Sequence, residues 1–288
     1  MISFICPSIR PKNWIKLFEN INDNNFEFEI IFLGPNGDSN YLPEKCRYIK
    51  TNIKPSQCFE GGVSISKYDI ICLLSDDIIF EQSNFLFEIN KNIHELDNKK
   101  ILSMKISSYG ENLNKPSSEY NFIELPIGGV FKKKDFYEIG GIDSSFIATL
   151  YDVDLYLRLL QRGYQNFLLN VNVKESVRTK TLEPSLYNRY AKIDKKTLKG
   201  FWFENDKFIF SKKREVKSFY KQDLLFKTQA PYGQWKNQLS YFSNLKYNNI
   251  YYFFDKVRRL EFNFIYNFYL RYRHLKIIKF LKKFIKSS

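Results

Sequence analysis

The chain has 288 residues, of which 44% are hydrophobic and 18% aromatic, and its formal net charge is +14. This length and composition indicate a globular protein with one large domain and an appendage. No apolar run approaches the roughly 18 residues that span a bilayer, and the first residues lack the pattern of a signal peptide, so we expect a cytoplasmic protein.

The positive charge is concentrated in the last third of the chain. Residues 201–288 contain 19 Lys/Arg and 6 Asp/Glu, whereas residues 1–200 contain 26 and 25. So uneven a distribution predicts two physically different parts. We expect an α/β domain over residues 1–200 and a basic, aromatic-rich, mainly helical region over residues 201–288.

The cysteines show no CxxC spacing and lie singly in apolar surroundings, so the sequence supports neither a zinc site nor a disulfide framework. We expect all four to be small core residues: Cys6, Cys46, Cys58 and Cys72.

Strand and helix patterns alternate through the first 75 residues. Apolar runs predict the strands, and two prolines, Pro11 and Pro55, suit first helical turns. The predicted strands are 2–6, 26–33, 47–51 and 68–75, and the predicted helices are 14–21 and 55–67. Strands separated by helices indicate parallel βαβ units and therefore an α/β fold with a mostly parallel central sheet.

Two adjacent carboxylates, Asp76 and Asp77, follow the apolar run at 68–75. In open parallel sheets, ligands bind beyond the carboxyl ends of the strands. Neighbouring carboxylates repel each other, and a hard divalent cation such as Mg²⁺ or Mn²⁺ relieves that repulsion. The alternative is that one Asp caps the following turn while the other faces water. The dipeptide alone leaves both interpretations open.

A second acidic segment lies in residues 126–169, PIGGVFKKKDFYEIGGIDSSFIATLYDVDLYLRLLQRGYQNFLL. It predicts a strand that ends at Gly128 and Gly129 and a helix that ends at Gly140 and Gly141. It also predicts an acidic helix that begins in YDVDLYLRL and ends near Gly163.

This segment resembles the family 2 glycosyltransferases of the GT-A fold, whose pattern is GG, a basic residue and Phe, GGFDE, and then EDVDLxLRLRxxGY. FICPSIRPKNW (4–14) is similar to the family's opening strand and nucleotide-binding loop. SQCFEGGVSISKYDIICLLSDD (56–77) is similar to its helix, strand and DxD metal motif. The resemblance spans about residues 1–178.

The resemblance assigns roles to the first acidic pair and the opening loop. Asp77 matches the last aspartate of the DxD motif, which binds the metal, and Asp76 the middle one, while Ser75 stands where the first aspartate often is. We expect Asp77 to ligate Mn²⁺ or Mg²⁺, and five residues to bind the donor nucleotide and its metal: Pro7, Ser8, Arg10, Asp76 and Asp77.

Asp152 aligns with the aspartate of the family's ED pair. In an inverting single displacement the acceptor hydroxyl must lose its proton, which calls for a carboxylate base. We therefore expect Asp152 to be the catalytic base, and its alternative role is that of a first-turn helix acid.

Four further residues are expected near the sugar or acceptor: Gly128, Gly129, Asp143 and Asp154. The glycines let a backbone approach a ligand closely, or else form a simple turn. Asp143 either pins its turn or reaches the acceptor, Asp154 also suits binding to nearby basic groups, and Arg158 is expected to be a structural ion-pair partner.

The basic end of the chain has an amphipathic pattern. On a helical wheel, HLKIIKFLKKFIKSS (274–288) separates Ile, Leu and Phe from Lys. Such a helix suits an anionic membrane surface, so we expect residues 255–288 to attach the protein to the inner face of the cytoplasmic membrane. Packing on the catalytic domain is the alternative. No nucleic acid is expected, because no recognised motif accompanies the charge.

Together these features predict an inverting, metal-dependent transferase of hexosyl or related groups. It would move a sugar from a nucleoside-diphosphate sugar to a glycan or lipid-linked acceptor, in bacterial surface polysaccharide or lipopolysaccharide synthesis. The alternative is a non-catalytic GT-A-like binding or scaffold protein at a membrane surface.

Overall fold

The computed structural model describes residues 1–23, 25–82, 84–108, 111–112, 120, 123–175, 184–211, 213–228, 233 and 235. The predicted membrane-binding residues 255–288 lie outside this described part. The α-helices are α1 (Trp14–Ile21), α2 (Pro55–Ile65), α3 (Phe85–Asn92), α4 (Lys133–Glu138), α5 (Tyr151–Gln161) and α6 (Pro184–Trp202). Short 3-10 helices lie at Pro11–Asn13, Ser39–Tyr41 and Ile93–Asn98.

The β-strands are β1 (Ile2–Pro7), β2 (Phe28–Gly34), β3 (Cys46–Lys50), β4 (Ile70–Leu73), β5 (Ile78–Phe80), β6 (Lys100–Ser108), β7 (Glu111–Asn112), β8 (Val130–Lys132), β9 (Gln165–Glu175), β10 (Phe203–Glu204) and β11 (Lys207–Phe208). The strands and helices predicted for the first 75 residues are therefore confirmed, with ends that differ by one or two residues. Pro55 opens α2, as its fixed φ favours at a first helical turn.

One large sheet contains the strands in the order β3-β2-β1-β4-β8-β6-β9-β5, with β7 paired to β6. The strands β1 to β4 are parallel, and β6 is parallel to β9. Strand β8 is antiparallel to both of its neighbours, β4 and β6, so β6 and β9 run in the same direction as β1. The predicted α/β fold of the GT-A type, with a mostly parallel central sheet, is confirmed.

The sheet is covered on both faces. Alternate residues of β1 enter different cores, because successive side chains of a strand point to opposite faces. Ile5 packs in a core with residues of α2, α4, α5 and α6. Phe4 and Cys6 pack in a second core with residues of α1 and α3. All four cysteines are free and buried, so their predicted role as core residues is confirmed.

The prediction that a strand ends at Gly128 and Gly129 is wrong. Gly128 has the left-handed φ of 63°, and β8 begins only after the pair, at Val130. Because β8 is antiparallel to β4 and Val130 lies opposite Cys72, the start of β8 lies at the same edge of the sheet as the end of β4. The glycines are therefore brought to the edge where Asp76 and Asp77 follow β4.

Residues 203–228 supply charge partners to the sheet domain. Arg214 forms ion pairs with the buried carboxylates of Asp143 and Asp154. Asp154 also accepts hydrogen bonds from Arg158 Nε and Trp202 Nε1, both at 2.9 Å. The predicted structural role of Arg158 is confirmed by this ion pair, whereas the predicted boundary at residue 200 stays a prediction.

Within the part of the chain that the structure describes, no helix combines the length and the apolar character needed to cross a bilayer.

Replacing Arg214 by Met is expected to lower the free energy of unfolding by about 3–5 kcal/mol, because removing one partner of a buried ion pair leaves an uncompensated charge. The measurement is the urea unfolding midpoint. Lys227→Met is the matched control, since Lys227 forms an exposed pair with Asp223 and exposed pairs contribute little. Equal midpoints for the two variants would contradict the expectation.

Candidate active site

The loop that joins β1 to α1 is organised around the carboxylate of Asp76, which is only 3% exposed. Asp76 Oδ2 accepts hydrogen bonds from Ser8 Oγ at 2.7 Å and from the backbone N–H groups of Ile9 and Arg10 at 3.0 and 2.8 Å. The Arg10 guanidinium pairs with Oδ1. Asp76 thus has donors on both of its oxygens, all from the opening loop.

Further contacts with the start of α1 and the end of β2 hold the same loop in place. Asn13 Nδ2 donates to the carbonyl oxygen of Asp76 at 2.7 Å, and Trp14 Nε1 donates to Ser8 Oγ at 2.5 Å. Gly34, at the end of β2, lies so close that a Cβ there would stand 1.7 Å from the carbonyl oxygen of Ser8. The predicted nucleotide-binding residues Pro7, Ser8 and Arg10 therefore belong to a loop held by β2, β4 and α1.

Asp77 differs from its neighbour in exposure and in partners. Its side chain is 13% exposed, Arg10 Nη1 lies 3.1 Å from Oδ2, and Ser75 Oγ donates to Oδ1. The hydroxyl of Ser75 is thus a hydrogen-bond donor to Asp77, where many family 2 glycosyltransferases carry a further carboxylate.

The donor set around Asp77 bears on the predicted metal. Among the described residues, no group of three or more His, Cys, Asp or Glu side chains is arranged to hold a metal ion. Mg²⁺ and similar ions often bind through one or two carboxylates together with substrate phosphates. A partly exposed carboxylate with an adjacent hydroxyl fits a cation that would take most of its oxygen ligands from phosphate groups and water.

The second glycine of the 128–129 pair connects the sheet edge to α5. The backbone N–H of Gly129 donates to Tyr156 Oη at 2.8 Å. A Cβ at Gly129 would lie 2.9 Å from Tyr156 Cε1, and one at Gly128 would lie 2.4 Å from Met104 Cε. Close packing therefore favours glycine at 129, and the left-handed φ of 63° favours it at 128. The predicted contact of both glycines with a sugar stays a prediction.

Asp152 lies in the first turn of α5, four residues before Tyr156 and hence on the same face of the helix. Its side chain is only partly exposed. Burial raises the pKa of the Asp152 carboxyl, the nearby Glu175 adds to the rise, and hydrogen bonds from the backbone N–H groups of Val153 and of Asp152 itself oppose it. A carboxyl with a raised pKa is a better proton acceptor than an ordinary one, as a general base requires.

The buried Cys6 thiol of β1 relates the two acidic positions to each other. Burial raises its pKa, and the negative charges of Asp76 and Asp77 raise it further. Cys6 also interacts electrostatically with Tyr151, the residue before Asp152. Asp76 and Asp77 are thus near the carboxyl end of β1, and Tyr151 precedes Asp152 at the start of α5.

The structure places Asp143 and Asp154 away from solvent and in full hydrogen-bond contact. Asp143 Oδ1 accepts from the Ser145 N–H at 2.9 Å, and Oδ2 pairs with Arg214. Burial alone would raise the pKa of Asp154, but the guanidiniums of Arg158 and Arg214 outweigh it and lower that pKa. These contacts assign both residues to the framework, and their predicted contact with substrate stays a prediction.

Sequence reasoning missed three buried side chains that hold the surroundings of the site: Lys54, Glu60 and Asp194. Lys54 Nζ donates to the Ser144 carbonyl at 2.5 Å, and Glu60 accepts from the Ile142 N–H at 2.7 Å. A charged residue within an apolar stretch, such as Glu60 in CFEGGV, was the available signal, because buried charges need partners.

Searches of protein-family models and of curated proteins gave no match to this chain. Two solved structures of TarS from S. aureus are similar to it, with 10% identity, coverage of 62% of this chain, and TM-scores of 0.42 and 0.43. The similarity covers 35% of one TarS chain and 58% of the other, a 1–349 fragment, so this chain spans less than two thirds of either.

Asp152→Asn is expected to unfold at a temperature equal to or above that of the wild type at pH 7.5. Because the folded-state pKa of Asp152 is raised, the stability it contributes is present below its unfolded-state pKa and is lost as the pH rises through the folded-state pKa. The neutral amide avoids that loss, and the difference between variant and wild type should shrink as the pH falls toward about 4.

Asp154→Asn on the same helix is the matched control with the opposite sign. The lowered pKa of Asp154 means that its ionised form stabilises the fold, so the amide should lower the unfolding temperature at pH 7.5. Thermal unfolding between pH 4 and 8 measures both effects. The quantity to compare is the unfolding temperature of Asp152→Asn minus that of the wild type. A smaller value of this difference at pH 7.5 than at pH 4 would contradict the assigned direction.

Proposed function

We propose that this protein is an inverting glycosyltransferase of the family 2 type, which transfers a sugar from a nucleoside-diphosphate sugar to a glycan or lipid-linked acceptor. One observation carries the proposal. In each of the two acidic segments one carboxylate is buried and fully bonded, Asp76 or Asp154, while its neighbour, Asp77 or Asp152, remains partly exposed near the carboxyl edge of the sheet.

The donor's diphosphate is proposed to bind between Asp77 and the loop that carries Arg10. The Arg10 guanidinium, 15% exposed and paired with both aspartates, is the cation on the loop beside Asp77 and can contact phosphate oxygens. A Mn²⁺ or Mg²⁺ ion held by Asp77 would supply further positive charge to the leaving diphosphate. The opening loop has little freedom to move because Asp76 holds its amides, so the phosphate site is preorganised.

Asp152 is proposed to act as the base on the opposite side of the sugar. Its carboxylate takes the proton of the acceptor hydroxyl as that oxygen forms a bond to the anomeric carbon. The bond from the anomeric carbon to the phosphate oxygen breaks, and its electron pair leaves with the nucleoside diphosphate. A single displacement of this kind inverts the anomeric configuration, and it requires a base whose pKa is raised toward the working pH.

We also propose that the acceptor belongs to a bacterial surface polysaccharide or lipopolysaccharide pathway and that residues 255–288 attach the protein to the inner face of the cytoplasmic membrane. The alternation of Lys with Ile, Leu and Phe in residues 274–288 supports this attachment. A lipid-linked acceptor would then lie at the surface to which the protein binds.

The release of nucleoside diphosphate from a panel of nucleotide sugars, with Mn²⁺ and a mixture of lipid-linked and soluble glycan acceptors, tests the reaction. Asp152→Asn is expected to lower the turnover number by about 10²–10⁴-fold, the usual contribution of a general base. Asp77→Ala is expected to raise the Mn²⁺ concentration needed for half-maximal activity, because it removes the protein's carboxylate ligand.

Asp97→Ala is the control, since this carboxylate is 75% exposed and pairs with Lys132 outside the site. Equal activity in the wild type and in both site variants would refute the assigned roles. Saturable binding of a nucleoside diphosphate without turnover of any donor would instead support the non-catalytic binding module.

The attachment to membranes is tested by truncation after Asn249 and flotation with vesicles. The full chain is expected to float with vesicles that contain anionic lipid and not with neutral ones, and the effect should weaken as salt screens the lysines. Flotation of the truncated chain with anionic vesicles would contradict the proposal.

A further inference from the structure

The loop of residues 144–150 leads directly into the helix that carries Asp152. Its last residue, Leu150, has the left-handed φ of 60°, and α5 begins at the next residue. A residue other than glycine in this region costs roughly 1–2 kcal/mol, so the surrounding structure must impose the conformation. No side-chain cap from Leu150 itself holds the start of α5.

The side chain that holds this loop is Asp194 of α6. Asp194 Oδ1 accepts from the backbone N–H of Ile147 at 2.9 Å, and Oδ2 accepts from the N–H groups of Ala148 and Thr149 at 2.8 Å each. Thr149 Oγ1 donates to Oδ2 at 3.2 Å. Asp194 has no exposed surface. One carboxylate therefore fixes three consecutive amides, the last of them immediately before Leu150.

The opposite side of the loop is held by the N-terminal end of α2. Ser56 Oγ donates to the Phe146 carbonyl at 2.8 Å, and the Ser56 N–H donates to the Ile147 carbonyl at 3.1 Å. The buried Lys54, whose pKa burial lowers to about 8, is attracted by the charge of Asp194. Ile147 is thus held at its N–H by α6 and at its carbonyl by α2.

We propose that Asp194 is a positioning residue for the reaction, which fixes the path of the chain from Ile147 to Asp152 and thereby places the base against the acceptor hydroxyl. This inference rests on the proposed function. Asp194 lies on α6, whereas the proposed donor site is built from β1, β4 and α1. Loss of Asp194 should therefore affect the chemical step and leave donor binding intact.

Glu60 offers a matched comparison within the same protein. It is also fully buried, and it accepts from Ser218 Oγ and the Tyr220 N–H at 2.8 Å and from the Ile142 N–H at 2.7 Å. Its partners lie outside the segment that leads into α5. A role limited to stability would make the two carboxylates equivalent, whereas a positioning role would separate them.

Asp194→Asn and Glu60→Gln in the full-length chain test the inference. Both are expected to lower the unfolding temperature, because each places an amide N–H₂ against backbone donors. Only Asp194→Asn is expected to lower the turnover number, by about 10–100-fold, since small displacements of a catalytic group have effects of that size. The dissociation constant for a nucleoside diphosphate should stay within about twofold of the wild type, because Asp194 lies on α6, outside the proposed donor site.

Hydrogen exchange gives a readout that does not depend on turnover. Asp194→Asn should speed amide exchange in residues 147–153, and Glu60→Gln should speed it near 142 and 220. Should Asp194→Asn fail to fold, Thr149→Val removes only the hydroxyl contact and is expected to lower turnover by about threefold, in keeping with one hydrogen bond.

An unchanged turnover number in a folded Asp194→Asn or in Thr149→Val, an equal fall in Glu60→Gln, or unchanged exchange at 147–153 would each overturn the inference. A wild type without turnover would overturn the proposed function instead, so the two failures are distinguishable.

Discussion

A carboxylate can be buried in this protein only if amide, hydroxyl or guanidinium donors surround it, because the loss of hydration costs several kcal/mol per ion. The fold around the site is arranged to meet that requirement. Asp76 draws the loop after β1 onto the end of β4, and Glu60 holds the turn before Asp143 to residues 218–220. Asp154 joins α5 to α6 and to Arg214. Each of these carboxylates connects segments that are distant in sequence. The geometry of the sheet edge therefore depends on each carboxylate having its full set of hydrogen-bond and ion-pair partners.

The two acidic segments follow the same physical rule. In LLSDD and in YDVD, one aspartate is saturated by the framework and the other keeps an accessible carboxylate. The framework partner restrains its neighbour through a short stretch of backbone, so the accessible group is held in place while part of its carboxylate still faces solvent. This separation of roles explains why a chain can place acidic residues side by side at a sheet edge despite their repulsion.

Periodicity and turn residues were sufficient to predict the first four strands, the starts of α1 and α2, and the α/β class. The apolar run before them singled out Asp76 and Asp77, whereas Asp152 was singled out by the resemblance to family 2 glycosyltransferases. The start of β8 at Val130, after the glycine pair, is set by antiparallel pairing with Cys72 of β4, and no local pattern records so distant a partner. The same holds for Asp194, whose partners lie 45 to 47 residues upstream, and for Arg214, which composition grouped with the basic end of the chain. Hydrophobic pattern shows which face of an element is buried, but the identity of the partner is a property of the assembled tertiary structure.

The position of Arg214 also has a consequence for biosynthesis. Its partners, Asp143 and Asp154, precede it by 71 and 60 residues. On a ribosome, the helix that carries Asp154 and its first partner Arg158 therefore emerges well before Arg214, the second guanidinium that pairs with Asp154. Until then Asp143 lacks its basic partner, and the nascent chain must keep this part of the core hydrated. Final closure of the domain during translation thus waits for a segment that contributes no strand to the main sheet.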